Sequence, residues 1–351
     1  MKRLTHAKRS YITRNVDLSD VSNIIDKKPE QGDLVIARLD RIRQHTRLEN
    51  IHGRREFLFP GDELILAAGS RYATSQFYAE IPESLGPCHL VAAGGLAANV
   101  MQRSRQVKPA TEITLLGVLA DSAKQPINLS SYRTLKHSTA KRMINTIPVL
   151  LVLGSDMDSG KTSLACAAVN SFSMAGYNVA AAKLTGTGAG PDYWKMHDAG
   201  ARSVVDFLDA GLPSTLGLST AALTDLLLDF KADAMDRGAD MLIVELADGI
   251  LQPENQDLLS SSHFVNEITS ALVASDSAVG AVLSAQTVIQ SGISVLGLGG
   301  VFTRSPLSVD EVSFNTGLPV LKLEQFNSDY VREYLLGGLL GVGDNVAACA
   351  G

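Results

Sequence analysis

The feature that most constrains this chain is the stretch VLLVLGSDMDSGKTSL at residues 149–164. An apolar run of strand length enters a loop of glycine, serine and aspartate, and Gly-Lys-Thr at 160–162 then opens a helical pattern. In that order these parts form a P-loop, whose backbone N–H groups, lysine and threonine hydroxyl bind phosphates and Mg²⁺. The predicted cofactor-binding residues are Ser155, Asp156, Met157, Ser159, Gly160, Lys161, Thr162 and Ser163.

The loop departs from the usual P-loop in two respects. The early glycine is expected at position 155, where this chain has Ser155 preceded by Gly154. Two acids, Asp156 and Asp158, lie where an anion should bind, and they would repel a polyphosphate unless a cation stands between them. We therefore expect Mg²⁺ and a second lysine at this site, the alternative being a glycine-rich turn that binds nothing.

From residue 146 onward, apolar strands alternate with helix-length segments, which predicts a parallel sheet covered by helices. The predicted strands are 147–153, 178–183, 240–246, 278–284, 293–298 and 318–323. Between the first two, apolar residues recur at helical spacing from Leu164 to Phe172, and Gly176 predicts the end of that helix. The fold class is therefore α/β, with a P-loop domain at 146–351.

Residues 1–145 have a different pattern and are predicted to form a smaller β-rich domain with a linker. Val35, Ala37 and Leu39 alternate with Ile36, Arg38 and Asp40, and Pro-Gly-Asp at 60–62 separates two strand-like runs. The Gly-Gly turn in 89–101 is expected to open a helix, and 111–121 to form another strand. Two consecutive domains follow from this reading.

Composition excludes several classes of protein. With 31 basic and 37 acidic residues the chain is mildly acidic, which disfavours nucleic acid as a partner. No apolar run spans a bilayer and none follows the basic N-terminus, so we expect a cytoplasmic protein without a membrane partner. The 3 cysteines lie far apart, which argues against a disulfide framework or a zinc site. A homodimer is an open option.

Three motifs resemble dethiobiotin synthetase and its relatives, a branch of P-loop proteins. The loop GSDMDSGKT is similar to that family's Gly-Thr-Asp-x-Glu-x-Gly-Lys-Thr, AKLTGTG at 182–188 to its lysine and acceptor loop, and MLIVELADG at 241–249 to its acidic strand end. The resemblance implies that Thr162, Asp156 and Glu245 hold Mg²⁺. It further implies an acceptor loop, and the expected substrate residues are Thr185, Gly186, Thr187, Gly188 and Asp192.

The catalytic residues expected at this site are Lys161, Lys183 and Asp158. Lys183 would point at the transferring group, and Asp158 would orient the acceptor beneath the 185–188 backbone. The function expected first is that of an ATP- and Mg²⁺-dependent ligase or kinase acting on a small carboxylate- or amine-bearing metabolite.

Two alternatives remain open. The loop together with VVDFLDAG at 204–211 is also similar to a two-domain bacterial P-loop family that includes D-amino-acid N-acetyltransferases, where the cradle would serve acetyl-CoA. The other alternative is a nucleotide-dependent switch or assembly factor, although no Asn-Lys-x-Asp run marks a guanine-selective switch. Asp206 and Asp209 are interpreted as structural residues.

Overall fold

The computed structural model describes residues 4–137 and 147–341. The chain divides into two compact units that alternate along the sequence. We call the first the β-rich unit (Met1–Lys136, Thr185–Trp194 and Val205–Gly217) and the second the P-loop unit (His137–Leu184, Lys195–Val204 and Leu218–Gly351). The predicted boundary at 145–146 lies outside the described residues. Two short segments beyond that boundary belong to the β-rich unit, an interleaving that the sequence pattern did not predict.

The β-rich unit is built from short strands. Their bounds are β1 Lys8–Arg9, β2 Asn23–Ile25, β3 Leu34–Arg41, β4 Arg47–Glu49, β5 Arg55–Phe57, β6 Glu63–Ala68, β7 Arg71–Tyr72, β8 Phe77–Glu80, β9 Gly86–Ala92, β10 Leu96–Arg103 and β11 Thr111–Ala120. Strands β4 and β5 form a separate hairpin, and the others belong to one sheet. The predicted β-rich fold of this region is confirmed.

Five of these strands close into a barrel. The sheet runs β6-β3-β11-β9-β10, and β10 pairs again with β6 in parallel, Leu96 opposite Ala67 and Ala97 opposite Ala68. Closure removes free sheet edges. Val35, Ala37 and Leu39 alternate on β3 and pack inside with Leu64 and Leu66 of β6, so the predicted period-two pattern is the barrel core. The expected helix after the Gly-Gly turn is wrong, because Gly94–Gly95 instead connects β9 to β10.

The P-loop unit contains a parallel sheet and most of the helices. Its strands are β12 Val149–Gly154, β13 Val179–Lys183, β14 Ser203–Asp206, β15 Met241–Glu245, β16 Ser270–Ala274 and β17 Val295–Gly299. The helices along the chain are α1 Lys161–Met174, α2 Gly190–Asp198, α3 Thr220–Asp236, α4 Pro253–Ser260, α5 Ser262–Val265, α6 Ala278–Gln290, α7 Pro306–Thr316 and α8 Asp329–Leu340. Helix α2 and strand β14 each cross a boundary between the two units.

The strand order is β14-β13-β15-β12-β16-β17, with β12 at the centre between β15 and β16. The predicted strands at 147–153, 178–183, 240–246 and 293–298 are confirmed within a few residues. Two predicted strands are wrong. Residues 278–284 begin helix α6, whose N-terminus is capped by Ser277, and 318–323 make only an isolated bridge from Val320 to Leu298.

Helix α1 confirms the predicted periodicity. Leu164, Ala165, Ala168, Val169 and Phe172 are all buried, and the helix ends at Met174, just before Gly176. This α/β architecture places the loop after the central strand β12 at the carboxyl end of the sheet, where ligands bind in folds of this class. Over the described ranges, no helix combines the length and hydropathy needed to cross a bilayer.

Candidate functional site

The loop between β12 and α1 is held by close backbone packing. A Cβ on Gly154 would lie 2.6 Å from the Ala274 carbonyl oxygen, and a Cβ on Gly249 would lie 2.6 Å from that of Ser155. The Val301 N–H also donates to the Ser159 carbonyl at 3.2 Å. The turns that follow β15 and β17 therefore fix the loop from outside, and Gly249 of the motif MLIVELADG is needed for this contact.

The position of Ser155 explains why the early glycine is displaced. Its N–H donates to the Ala274 carbonyl at 2.9 Å, and its Oγ lies 3.1 Å from Ser275 Oγ and 3.2 Å from Asp276 Oδ1. A side chain at 155 thus has polar partners on the neighbouring strand end, whereas Gly154 is the position with no room for one.

The loop presents donors that suit an anion. In the part of the chain that the structure describes, the backbone N–H groups of Asp158, Ser159 and Gly160 donate to no other protein group. Helix α1 starts directly after them, so its N-terminal partial positive charge adds to theirs. Backbone donors at a helix N-terminus are the arrangement by which P-loops bind phosphate.

Lys161 lies across this loop and is only 6% exposed. Its Nζ donates to the Asp156 carbonyl oxygen at 2.6 Å and to Ser159 Oγ at 3.4 Å. Burial lowers the pKa of Lys161, and the nearby charges of Glu245 and Asp248 oppose that shift. A phosphate near this ammonium group would return the solvation that burial removes.

Thr162, Glu245 and Lys183 meet beside the lysine. Thr162 Oγ1 donates to Glu245 Oε1 at 3.0 Å, and Lys183 Nζ lies 4.0 Å from the same carboxylate oxygen. The sheet register causes this meeting, because Lys183 and Glu245 are paired residues on β13 and β15. The Glu245 and Lys183 side chains are 2% and 15% exposed. Three residues predicted from separate motifs are thus brought together.

The two loop acids lie in different surroundings from those three residues. Asp156 Oδ1 accepts a hydrogen bond from the Met157 N–H at 2.7 Å, so this side chain also shapes the loop. Asp158 is exposed and has a φ of 59°, in the left-handed region that aspartate tolerates better than most residues. Backbone conformation therefore supplies a structural reason for an aspartate at 158. The proposed metal and acceptor roles of these acids stay predictions.

Sequence reasoning missed Asp248. It follows β15 in the quoted motif, has a φ of 60°, and its charge acts on Lys161. An acid next to a glycine directly after an acidic strand end was the available signal.

The predicted substrate loop is tightly bonded within the β-rich unit. Gly186 N–H donates to Thr215 Oγ1 at 2.8 Å, and Gly188 N–H donates to the Pro213 carbonyl at 3.0 Å. Thr187 forms an isolated bridge to Ser214, and Thr185 is buried. Asp192 lies in the first turn of α2, and its charge raises the pKa of Glu49, though less than burial does. Their substrate role remains a prediction.

Asp206 and Asp209 form a buried ion-pair cluster in the β-rich unit. Arg14 Nη2 lies 2.9 Å from a carboxylate oxygen of each. Burial raises the pKa of Asp206, and the Arg14 charge opposes this shift. The structural interpretation of both acids agrees with these contacts, and Arg14 is the partner that the sequence did not indicate.

The donor set beside the loop fits Mg²⁺. A threonine hydroxyl and a buried carboxylate are oxygen ligands, and Mg²⁺ commonly takes one or two protein ligands with waters and substrate phosphates. Within residues 4–137 and 147–341 there is no cluster of three or more His, Cys, Asp or Glu side chains arranged to hold a metal. With two oxygen ligands from the protein, Thr162 and Glu245 suit a metal whose other ligands are waters and phosphate oxygens.

Comparisons with known proteins give only distant likenesses. No protein-family model matches the chain, and no curated protein matches it. The signal recognition particle receptor FtsY from Elizabethkingia anophelis in complex with GDP is 15% identical, with a TM-score of 0.39 over 60% of this chain and 69% of that one. The signal recognition particle 54 kDa protein from Aeropyrum pernix K1 in complex with GDP is 18% identical, with a TM-score of 0.38 over 61% and 51%.

The kinase domain of the Escherichia coli tyrosine kinase ETK is 16% identical, with a TM-score of 0.34 over 45% of this chain and 69% of that one. By its own strand order and loop contacts, the chain is an α/β protein with a P-loop at the carboxyl end of a parallel sheet, and with a separate β-rich unit.

Proposed function

We propose that the P-loop unit binds a nucleoside triphosphate with Mg²⁺ and acts on its terminal phosphoryl group. The observation that carries this proposal is the meeting of Thr162 Oγ1 and Glu245 Oε1 at 3.0 Å, directly after the loop lysine. In P-loop enzymes the loop hydroxyl and an acid on a neighbouring strand hold the metal together. ATP is the donor expected from the sequence, and GTP is tested in parallel.

Each group of residues at the P-loop has a distinct proposed role. The loop N–H groups and Lys161 bind the phosphates, and Thr162 and Glu245 hold the metal, which would neutralise charge that develops on the phosphate oxygens. Lys183 stands 4.0 Å from Glu245, so it can reach the transferring group while its charge is balanced by the same carboxylate. The reaction that we propose first is phosphoryl transfer to a small carboxylate- or amine-bearing acceptor, as a ligase or kinase.

A nucleotide-dependent switch is the second candidate, and one observation favours it. The chain leaves the P-loop unit after Leu184, one residue beyond Lys183, and enters the β-rich unit at Thr185. A displacement of Lys183 when phosphate is released would therefore be passed to the chain segment that connects the two units. In that case hydrolysis, and not transfer to a metabolite, would be the reaction.

Calorimetric binding of MgATP, MgGTP and acetyl-CoA tests the proposal. We expect a nucleoside triphosphate to bind with Mg²⁺ and to bind at least about 10-fold more weakly after EDTA treatment. Binding of acetyl-CoA alone, unaffected by EDTA, would support the acyltransferase alternative and refute this proposal. Phosphate release measured with and without candidate acceptors then separates transfer from hydrolysis.

A further inference from the structure

The β-rich unit contains a cavity of about 520 Å³ that the P-loop chemistry does not use. The segments between β3 and β5, the start of β7, the end of β9 and the 187–189 backbone surround it. Its lining residues are Gln44, His45, Thr46, Arg47, Arg55, Arg71, Gln76, Ala92, Ala93, Thr187 and Ala189. Every one of them belongs to the β-rich unit.

The charged side chains that line this cavity are all positive. It includes three arginines, and none of the described lining residues is acidic. Clustered cations beside a low-dielectric wall concentrate the potential in a cleft and attract anions.

Contacts within the β-rich unit hold the three arginines in position. Arg71 is buried, and its guanidinium donates to the Val91 carbonyl and, at 3.0 Å, to Gln76 Oε1, which are neutral acceptors. The Arg47 guanidinium lies 4.2 Å above the centre of the Phe57 ring. Arg55 stands opposite Glu49, and its charge acts to lower the pKa of that carboxyl, which burial raises. Glu49 is buried and accepts a hydrogen bond from Gly190 N–H at 2.9 Å. Glu49 is not part of the lining.

His45 adds a polar atom with no partner. Its Nε2 is buried and makes no hydrogen bond to another described residue, and the residue lines the cavity. Burial lowers the pKa of His45 to about 4, the charges of Arg71 and Arg55 act in the same direction, and a hydrogen bond with the Val91 backbone opposes them. A buried polar atom without a partner costs free energy, and His45 bears this cost beside the cavity arginines.

We infer that this cavity is a binding site for a small anionic metabolite that carries a carboxylate or phosphate group. Arg47, Arg55 and Arg71 would bind its oxygens, since guanidinium groups match the geometry of both anions. This site lies within the β-rich unit and does not depend on the function proposed for the P-loop.

Two probe anions test the inference by calorimetry, succinate for the carboxylate and inorganic phosphate for the other chemistry. Phosphate also suits the P-loop, so both titrations use the full chain carrying Lys161→Ala. The uncharged diamide succinamide is the matched probe without charge. Arg47→Gln and Arg55→Gln remove exposed cations of the lining, and Arg105→Gln removes an exposed cation of the same unit outside it.

Fluorescence of the single tryptophan, Trp194, tests whether the probe anion binds in this cavity. A Cβ on Gly53, in the turn between β4 and β5, would lie 2.2 Å from Trp194 Nε1, so this indole packs on the hairpin that carries Arg47 and Arg55. A ligand at these arginines should change the emission of Trp194.

We expect saturable binding of succinate or phosphate, with the tighter anion identifying the preferred chemistry. Arg55→Gln and Arg47→Gln should each weaken binding about 10-fold or more, as expected for loss of a charged hydrogen bond, and Arg105→Gln should not. The inference is overturned if neither anion binds, if succinamide binds as tightly as succinate, or if Arg105→Gln weakens binding as much as Arg55→Gln.

Discussion

The two units differ in the side chains that surround their positive charges. At the P-loop, Lys161 and Lys183 share the carboxylate of Glu245, and the charges of Asp248 and Asp156 act on Lys161 as well. In the cavity of the β-rich unit, three arginines and a neutral histidine line the wall without an acid. The P-loop therefore suits an anion that binds together with a metal cation, and the cavity of the β-rich unit suits an anion that binds without one. Metal dependence should therefore separate the two sites.

The largest expected effect comes from Lys161→Ala. The change removes the cation that lies across the loop, so the kcat/KM for the nucleotide should fall about 1000-fold, at the upper end for one lost charged donor. The fold should persist, because Lys161 is desolvated and its burial opposes its charge.

Steady-state kinetics and a thermal melt check this prediction together. Succinate binding in the cavity of the β-rich unit is the control, since Lys161→Ala should leave it unchanged. Wild-type nucleotide turnover in the variant would contradict the P-loop assignment.

Lys183→Met should lower the single-turnover rate about 100-fold while nucleotide affinity stays near normal. The reason is that a charge which stabilises only the transition state changes the rate of the reaction and does not change the affinity for the nucleotide. The exposed Lys195→Met, on helix α2, is the matched control. If affinity falls and rate does not, Lys183 serves binding only.

Glu245→Gln should raise the Mg²⁺ concentration needed for half-maximal nucleotide binding about 10-fold, because an amide is a weaker ligand for this hard cation. Binding without metal should change little. The control is Asp276→Asn, an acid that contacts Ser155 Oγ at 3.2 Å on the other side of the loop. Equal effects from both substitutions would mean that general charge, and not metal coordination, explains the result.

A further prediction concerns stability and pH. Because the pKa of His45 in the fold is about 4, below the ordinary 6.5, protonation favours the unfolded state. Its stabilising contribution is complete above about pH 6.5 and is lost as the pH falls toward 4, by at most about 1.4 kcal/mol for each pH unit.

Chemical denaturation at several pH values from 7.5 to 5 measures this loss. His45→Gln should flatten the curve relative to wild type, whereas His52→Gln, an exposed histidine of the same unit, should not. Identical slopes for wild type and His45→Gln would show that His45 does not titrate as described.

Most of the correct predictions came from patterns among residues that are close together in the sequence. The P-loop was readable because its strand, loop and helix are contiguous, and the barrel core because Val35, Ala37 and Leu39 alternate. The error at 278–284 arose because a short apolar run fits a buried strand or a helix, and only the continuation to Gln290 with the Ser277 cap decides for a helix. The strand Ser270–Ala274, which lies just before this run, was not among the predicted strands.

Long-range topology produced what the sequence could not indicate. Barrel closure depends on two parallel pairs between β6 and β10, and the cavity arginines come from β4, β5 and β7. Nothing in the spacing of Arg47, Arg55 and Arg71 marks them as neighbours. Glu245 was found at the site because a motif named it, whereas Asp248, three residues later, was not.

The most direct test of the central claim is a double-mutant cycle on nucleotide affinity. It compares wild type, Thr162→Ala, Glu245→Gln and the double variant, each with Mg²⁺ and with EDTA. If both side chains hold one metal, their effects on Mg²⁺-nucleotide affinity should be non-additive by about 1 kcal/mol or more. The coupling should then disappear in EDTA. Additive effects with Mg²⁺, or the same coupling in EDTA, would contradict a shared metal site at Thr162 and Glu245.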